Sequence, residues 1–373
     1  MTENGRAISA QDAARFRLQR HCLVGRGGNA LSLAQRICGA QAQIMSAAYL
    51  QFWARNHRLR RADVEAALWQ RRSLVKTHLM RQTLHLIPAA EFALYISALR
   101  SCRVADALRV MSRFGIAREE GHSLTPLILD AVSQGPLGRA AITAAVRRKV
   151  SKRIQSWMDR VWSIVRIPMA EGLLCYGPGE GNEVTLIRTD HWLGKQQPLA
   201  EETARMKLFR KYLGAYGPAT LADFAHWAGL PAPQVRPLRA ALGEELCEVS
   251  VDRRPCLLLQ KDLSFLGEAS RSPCPARLLP HFDPFLLAHR EKDHLLASRY
   301  YKRVYRNQGW ISPVVLVDGS IAGTWSHKTS ARRLEVSIEP FAQIPRAVRA
   351  DIAAEAESLS EFFGVELERI TFA

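Results

Sequence analysis

The stretch GPATLADFAHWAGLP, residues 217–231, predicts the organisation of the chain more clearly than any other segment. Thr220 can cap a helix, because Asp223 stands at the third helical position of a capping box. Apolar side chains then recur at the spacing of one helical face, at Leu221, Phe224, Ala225 and Ala228. Gly229 and Pro231 follow and turn the chain. The segment therefore predicts a capped, half-buried helix that ends in a turn.

A second helix and a two-stranded hairpin are predicted after this turn. Apolar residues recur at helical spacing over Val235–Leu242. Since proline is tolerated only in the first turn of a helix, Pro237 places the start of this helix near Val235. Two runs of strand-forming residues then flank a basic turn at residues 252–255. Helix, turn, helix and hairpin in this order predict a winged helix.

The same plan recurs twice earlier in the chain, although no strict sequence period links the copies. In the middle stretch, helices are predicted around residues 124–132 and 142–150. Residues 172–188 then predict two strands with a glycine-rich loop between them. The first stretch is looser, with three helices and one strand predicted at residues 30–38, 46–55, 63–71 and 77–88.

The last hundred residues differ in character. From about Pro275 the chain is rich in strand patterns, with a hairpin predicted at Asp318-Gly319 and a helix over residues 345–363. We interpret this part as a small β-rich scaffold resembling a partial barrel. The predicted fold class is α+β, with three tandem winged-helix motifs around a C-terminal barrel-like scaffold. The predicted domains are residues 1–100, 101–200, 201–274 and 275–373.

Charge is the most informative property of the composition. The 373 residues carry a formal net charge of +17, and only ten of the 52 cationic side chains are lysines. Guanidinium groups match phosphate oxygens bidentately. A genome rich in G and C also favours arginine over lysine, but such drift does not by itself produce a large charge imbalance. The composition therefore favours nucleic acid as the partner.

Other properties point to a reduced, intracellular protein. There is no apolar run of about 18 residues that could cross a membrane, and the N-terminal sequence has no apolar segment typical of a secretory signal. The seven cysteines include no Cys-X-X-Cys pair, which favours free thiols and a cytoplasmic location. Neither metal-ligand spacing nor a phosphate-binding Gly-Lys loop is present, so no metal or cofactor is expected. Nothing requires more than a monomer.

Gln41-Ala42-Gln43 is the candidate catalytic motif. At this spacing the two amides share a face only in an extended or turn segment, and Gly39 and Ser46 indicate a turn that enters a helix. An amide can hold a water molecule and direct a carbonyl dipole at positive charge. Gln-X-Gln is common by chance, however, so from the residues alone surface polar side chains are the default interpretation and a catalytic role is the alternative.

Three further residues are candidates for a supporting role on the predicted strand of residues 77–88. Arg81, Thr83 and His85 are spaced two apart, with Leu84 and Leu86 on the opposite side, so they are expected to line one face of that strand. Such a face can line a groove, or it can simply be the solvated side of a half-exposed strand. Asp283 also has two interpretations: stabilisation of a cationic sugar, or a cap before Pro284, which we favour.

Basic residues in three places are candidates for contacts with DNA. One group is expected on the exposed face of the helix near residues 142–150, one interleaves with tyrosines at residues 299–306, and one lies at a hairpin after Trp325. In chain order they are Arg147, Arg148, Lys152, Arg299, Lys302, Arg303, Arg306, Lys328, Arg332 and Arg333. The alternative for each group is a solvated basic surface.

Four blocks in order resemble the AlkZ/YcaQ-like winged-helix DNA glycosylases, of the azinomycin-resistance type. They are GAQAQIMSAAYLQFWAR, LVKTHLMRQTLHLIP, LLPHFDPFLLAHRE and VVLVDGSIAGTWSHK. The resemblance covers nearly the whole chain and places the family's Gln-hydrophobic-Gln signature on Gln41 and Gln43. It implies three winged helices and a small barrel around a basic channel. One departure is Gln82, where the family pattern has glycine, and this side chain is expected to crowd the strand.

The resemblance implies a monofunctional DNA glycosylase. Its substrate would be double-stranded DNA with cationic N7- or N3-alkylated purines, with bulky natural-product adducts and interstrand crosslinks as further candidates. Because the motif contains no lysine, the chemistry is expected to be hydrolytic, without a Schiff-base lyase step. Two alternatives remain: a non-catalytic winged-helix transcriptional regulator, and a protein that sequesters DNA-damaging metabolites without chemistry.

Overall fold

The structure is a computed structural model that describes residues 6–160, 164–179, 184–269 and 275–373. In chain order its α-helices, α1 to α18, are Ala10–Arg20, Ala30–Arg36, Met45–Trp53, Arg61–Glu65, Phe92–Ser112, Arg118–Ala131, Arg139–Arg147, Lys152–Arg160, Arg166–Ala170, Thr189–Leu193, Glu201–Tyr216, Leu221–Ala228, Ala232–Val235, Leu238–Leu242, Leu263–Ala269, Pro284–Leu287, Tyr301–Val304 and Arg346–Phe363. Its strands, β1 to β14, are Arg6–Ile8, Ala40–Gln41, Leu74–His78, Leu84–Pro88, Leu137–Gly138, Leu174–Gly177, Thr185–Arg188, Leu246–Val251, Arg254–Leu259, Arg277–Leu279, Val314–Val317, Ser320–Thr329, Arg333–Pro340 and Glu366–Phe372. Within these ranges, none of the helices combines the length and the apolar character needed to cross a bilayer.

The chain forms two compact units of mixed α+β structure. The first unit comprises Met1–Glu65 and Phe209–Ala373, and the second comprises Ala66–Leu208. The four segments predicted from the sequence are defined by motifs rather than by compactness, and they stay a prediction.

The C-terminal part of the first unit is an open five-stranded sheet in the order β10-β11-β12-β13-β14. β13 and β14 pair in parallel, because α18 provides the crossover between them, whereas the other neighbours are antiparallel. Ile352, Ala356 and Leu359 on α18 join the apolar core of this sheet. The sheet is not a closed barrel, since a helix covers the apolar face that a closed barrel would bury inside. The barrel-like character predicted for this scaffold stays a prediction.

The predicted turn and cap signals of the first unit are confirmed. Thr220 and Asp223 form the capping box at the start of α12. Asp318 and Gly319 both have positive φ and join β11 to β12 in an antiparallel hairpin. The helix expected to begin near Val235 is instead two short helices, because Pro237 ends one helical segment and caps the next.

A second small sheet in the first unit has the order β1-β8-β9. β8 and β9 form the hairpin predicted after α14, and β1 adds to β8 in parallel. Phe16, Val249, Cys256, Leu258 and Leu266 form the apolar cluster beneath it.

In the second unit the strand predicted over residues 77–88 is two antiparallel strands, β3 and β4, with Thr77 opposite His85. A 3-10 turn, Met80–Gln82, separates them, and Arg81 and Gln82 both have positive φ. Arg81 therefore lies in a turn, and the predicted common strand face of Arg81, Thr83 and His85 is wrong.

The remaining elements of the second unit pack around one apolar cluster that includes Leu124, Ile142, Trp157 and Leu186. Strands β6 and β7 occur where the sequence predicted them, while residues 180–183 of the glycine-rich loop lie outside the described residues. The helix expected to reach residue 150 ends at Arg147, because the Gln155 side chain donates to the carbonyls of Arg147 and Val150.

Candidate active site

Gln41 and Gln43 lie in a short non-helical segment between α2 and α3, as the sequence predicts. Cys38 and Gly39 both have positive φ and redirect the chain into β2, and α3 begins two residues after Gln43. The two side chains differ in exposure. Gln41 is only 5% exposed, whereas Gln43 is exposed to solvent. One amide is therefore held within the fold and the other is presented at its surface.

A third glutamine, which the sequence analysis missed, supports this segment. Gln51 on α3 is fully buried, and its Nε2 donates a hydrogen bond of 2.9 Å to the backbone oxygen of Gln41. Gln51 therefore ties the backbone at the first residue of the motif to the helix α3. The available signal was a polar residue on an otherwise apolar helix, since a buried polar side chain requires hydrogen-bond partners.

A buried ion pair between Arg55 and Asp283 fixes the part of α3 that carries Gln51. Both Arg55 and Asp283 are 0% exposed, and they form a bidentate pair with N–O distances of 2.8 and 2.9 Å. Arg55 Nη1 also donates to the backbone oxygen of Gln51 at 2.8 Å. Burial alone would lower the pKa of Arg55, but the Asp283 carboxylate raises it above its ordinary value.

Asp283 thus has the capping role that we favoured. Its Oδ1 accepts a hydrogen bond of 3.0 Å from the Phe285 amide, at the start of the short helix α16. Because the carboxylate is fully buried and is engaged by Arg55, it does not face an opening. Direct contact between this carboxylate and a sugar, the alternative interpretation, is incompatible with this position.

A cationic cavity of about 640 Å³ lies in the first unit beside the start of α3, and we call it the α3 cavity. Ser46, Ala47 and Leu50 of α3 line one side, followed by His281, Trp325 and His327, and three of the predicted DNA-binding residues complete it: Lys302, Arg303 and Arg306. Burial, and next the nearby His281, lower the pKa of His327, which favours a neutral imidazole. Lys302, Arg303 and Arg306 bring positive charge to the cavity, and Glu339, which also lines it, partly offsets this charge through its pair with Arg303 at 3.2 Å.

The other predicted basic residues of the first unit are located outside this cavity. Arg299 stacks on the Tyr300 ring, with 4.8 Å from its guanidinium carbon to the ring centroid. Lys328, Arg332 and Arg333 are exposed at the end of the β12–β13 hairpin. Arg333 is paired with Glu368 at 2.8 Å, so its charge is partly compensated.

In the second unit, the basic residues predicted near residues 142–150 do not share one helix. Arg147 ends α7 and pairs with Asp159 at 2.5 Å, whereas Lys152 begins α8. Arg148 and Lys152 are exposed.

His85, also in the second unit, is 3% exposed and neutral at pH 7. Burial, followed by the charge of Arg81, lowers its pKa to about 3. Its Nδ1 lies 3.0 Å from the Thr83 carbonyl, to which it donates, so Nε2 is the unprotonated nitrogen. Thr83 Oγ1 in turn donates to the Met80 carbonyl at 3.0 Å. Both interactions hold the turn between β3 and β4.

Gln82 occupies the same turn without crowding β4. Its side chain is exposed, and it accepts from Arg166 at 3.1 Å and donates to Asp106 at 2.9 Å. Its positive φ of 59° explains why a glycine suits this position. The expected crowding of the strand is therefore wrong.

A mixed α+β chain with a strongly basic composition, an amide pair and an adjacent cationic cavity has the features of a DNA glycosylase. A family model described as "DNA glycosylase AlkZ-like" matches residues 34–362. A relative from Streptomyces sahachiroi, named "Interstrand DNA cross-link repair glycosylase", is 32% identical in an alignment of 363 residues that covers 94% of this chain and 95% of the relative. The solved structure of Streptomyces sahachiroi DNA glycosylase AlkZ is 27% identical, with a TM-score of 0.87 over 98% of this chain and 100% of that one. The chain belongs to the AlkZ-like DNA glycosylase family.

Proposed function

We propose that this protein is a monofunctional DNA glycosylase that hydrolyses the N-glycosidic bond of cationic N7- or N3-alkylated purines in double-stranded DNA. The observation that carries the proposal is the placement of Gln41 and Gln43 in a short segment at the start of α3. Gln51 anchors that segment through the backbone of Gln41. Ser46, three residues after Gln43, is the first residue of the chain that lines the cationic α3 cavity.

The reaction suits amides because the leaving group is already activated. An alkylated purine carries positive charge, so the C1′–N bond breaks with its electron pair returning to the ring and the base departs neutral. Water adds to C1′ and loses its proton to solvent. The enzyme must position that water and stabilise the cationic sugar. We assign both tasks to the carboxamide groups of Gln41 and Gln43.

The segment contains no lysine that could attack C1′, which supports hydrolysis without a lyase step. Asp283 contributes indirectly, since its ion pair with Arg55 fixes the helix that carries Gln51. Arg81, Thr83 and His85 support the turn between β3 and β4, and we propose no direct chemical role for them.

We further propose that DNA is held by the predicted winged helices and by the exposed cations of both units. Lys302, Arg303 and Arg306 in the α3 cavity, with Lys328 and Arg332 at the β12–β13 tip, would neutralise phosphates near the amides. Arg148 and Lys152 would do so on the second unit.

Bulky natural-product adducts and interstrand crosslinks are proposed as substrates because the Streptomyces sahachiroi relative is named for crosslink repair. Amides accelerate the reaction less than a catalytic carboxylate would, so only lesions whose glycosidic bond is already labile are expected to be good substrates. The biological role would be DNA repair or self-resistance to a DNA-alkylating metabolite, carried out by a cytoplasmic monomer.

The proposal is tested with a duplex that carries a single N7-methylguanine. Incubation followed by alkali should cleave the strand at the lesion, while an undamaged duplex of the same sequence stays intact. Borohydride added during the reaction should trap no covalent protein–DNA adduct. Tight sequence-specific binding without abasic sites would instead support a transcriptional regulator, and affinity for an alkylating metabolite in the absence of DNA would support sequestration.

A further inference from the structure

A second, smaller cationic cavity lies entirely within the second unit and is not explained by the amide site. It has a volume of about 250 Å³, and we call it the Arg103 cavity. Its polar lining includes His78, Gln82, Arg103 and Arg166, and its apolar lining includes Val165 and Met169. Among the described residues that line it there is no carboxylate.

Arg103, on α5, carries a buried charge for which the described part of the chain provides no counter-ion. It is 8% exposed, and its Nη1 is buried with no hydrogen-bond partner among residues 6–160, 164–179, 184–269 and 275–373. Burial lowers the pKa of Arg103 to about 10, and no carboxylate raises it again. The guanidinium therefore remains charged at neutral pH. A buried cation of this kind is costly unless a negative group binds it.

The pKa of His78, which lines the same cavity, reflects the positive charge around it. His78 has its pKa lowered to about 4, by burial first and then by the charges of Arg103, Arg166 and Lys76. Lys76 Nζ lies 5.2 Å from the centroid of the Tyr176 ring, which also lines the cavity. The imidazole is therefore neutral at pH 7 and surrounded by three cations.

Gln82 organises the rim of this cavity. Its Oε1 accepts from Arg166 Nη1, and its Nε2 donates to Asp106, which is also paired with Arg109 at 2.7 Å. The Asp106 carboxylate is thus engaged by Gln82 and Arg109, while Arg166 is held beside the opening. A glycine at position 82 could not do this.

We propose that the Arg103 cavity binds a phosphate group, in the first place a phosphodiester of the DNA strand. The proposal rests on the DNA binding of the proposed function but not on its glycosylase chemistry. Guanidinium groups bind phosphate through paired, charge-assisted hydrogen bonds. The apolar walls at Val165 and Met169 offer no competing hydrogen-bond partner, so a phosphate would supply the partner that Arg103 Nη1 lacks among the described residues.

The first experiment uses inorganic phosphate as the probe. Thermal unfolding of the full chain is measured in phosphate and in chloride at equal ionic strength and pH. Phosphate should raise the Tm of the wild type and of Arg113→Met, which removes an exposed arginine at the end of the same helix. It should not raise the Tm of Arg103→Met.

The second experiment measures affinity for an undamaged duplex as a function of salt, so it does not depend on base excision. If a phosphodiester occupies the cavity, the slope of log affinity against log salt should be less negative by about 0.9 in Arg103→Met. If Arg103→Met fails to fold, Arg166→Met is used in its place in both experiments, because it removes an exposed cation at the rim of the same cavity.

The outcomes are distinguishable. A change in the salt slope identifies the DNA backbone as the source of the phosphate, and a phosphate-dependent Tm alone identifies a free anion. If neither property depends on Arg103 or Arg166, the proposal is overturned, while excision of N7-methylguanine by the wild type would still stand.

Discussion

Arg55 and Arg103 are both buried arginines, but their surroundings are opposite. Arg55 in the first unit meets Asp283 in a bidentate pair, and the carboxylate raises its pKa. Arg103 in the second unit has no counter-ion among the residues that the structure describes, and burial lowers its pKa to about 10. Burial of a charge is tolerated where geometry provides a partner. The difference indicates that Arg55 stabilises the scaffold of the amide site, whereas Arg103 is available to a ligand.

Breaking the ion pair between Arg55 and Asp283 should have the largest effect on the free energy of unfolding. Asp283→Asn leaves the Arg55 guanidinium buried without a counter-ion, which is expected to lower the free energy of unfolding by about 3–5 kcal/mol. Urea denaturation monitored by circular dichroism measures this. Excision activity should fall too, because Arg55 holds the helix that carries Gln51. A loss below about 1 kcal/mol would show that the pair is not a structural anchor.

The positive surroundings of Arg103 extend to His85 and predict an acid-sensitive second unit. The pKa of His85 is lowered to about 3, by burial and then by Arg81, with Arg103 among the smaller causes. The unfolded chain therefore binds a proton that the folded chain does not, as pH falls from about 6.5 to about 3. Stability should decrease over this range with a slope of up to about 1.4 kcal/mol per pH unit from this residue.

Urea denaturation at several pH values measures that slope, and His85→Gln should reduce it. An unchanged slope in the variant would mean that His85 is protonated to the same extent in both states.

Much of the first unit could be predicted because its signals are local. The cap at Thr220 and the turn at Asp318-Gly319 each involve neighbouring residues whose conformational preferences are strong. The turn at Arg81 and Gln82 could not be predicted in this way, because neither residue type favours positive φ. Polar residues at positions 81, 83 and 85, with leucines at 84 and 86, suggested one strand instead of two.

The long-range partners were beyond sequence reasoning. Arg55 and Asp283 are 228 residues apart, so no spacing rule connects them. Gln41 and Gln43 could be assigned from their motif and the family resemblance, but the buried support from Gln51 depends on the packing of α3.

A smaller effect is expected when the charge of Arg103 is removed. Arg103→Met keeps an unbranched apolar stem and eliminates an unpaired buried charge. In chloride, without phosphate, the variant should therefore be as stable as the wild type or more stable by about 1 kcal/mol. Urea denaturation in chloride checks this. A loss of several kcal/mol would mean that Arg103 has a structural partner like that of Arg55.

The exposed ion pair between Arg303 and Glu339 should have the smallest effect on stability. Arg303 and Glu339 lie 3.2 Å apart at the α3 cavity, and both side chains are largely solvated. Glu339→Gln should change the free energy of unfolding by less than about 1 kcal/mol. The same variant frees the Arg303 charge, so affinity for DNA at low salt should increase slightly. A stability loss comparable to that of Asp283→Asn would remove the distinction between buried and exposed pairs.

The central claim is that the carboxamides of Gln41 and Gln43 carry the chemistry. It is tested most directly by single-turnover excision of N7-methylguanine at saturating enzyme. Gln41→Ala and Gln43→Ala should each slow excision by about 100-fold or more, the magnitude typical of losing one positioned stabilising group. Gln197→Ala, which removes an exposed glutamine elsewhere, should match the wild type. Equal rates in all three variants would contradict the account.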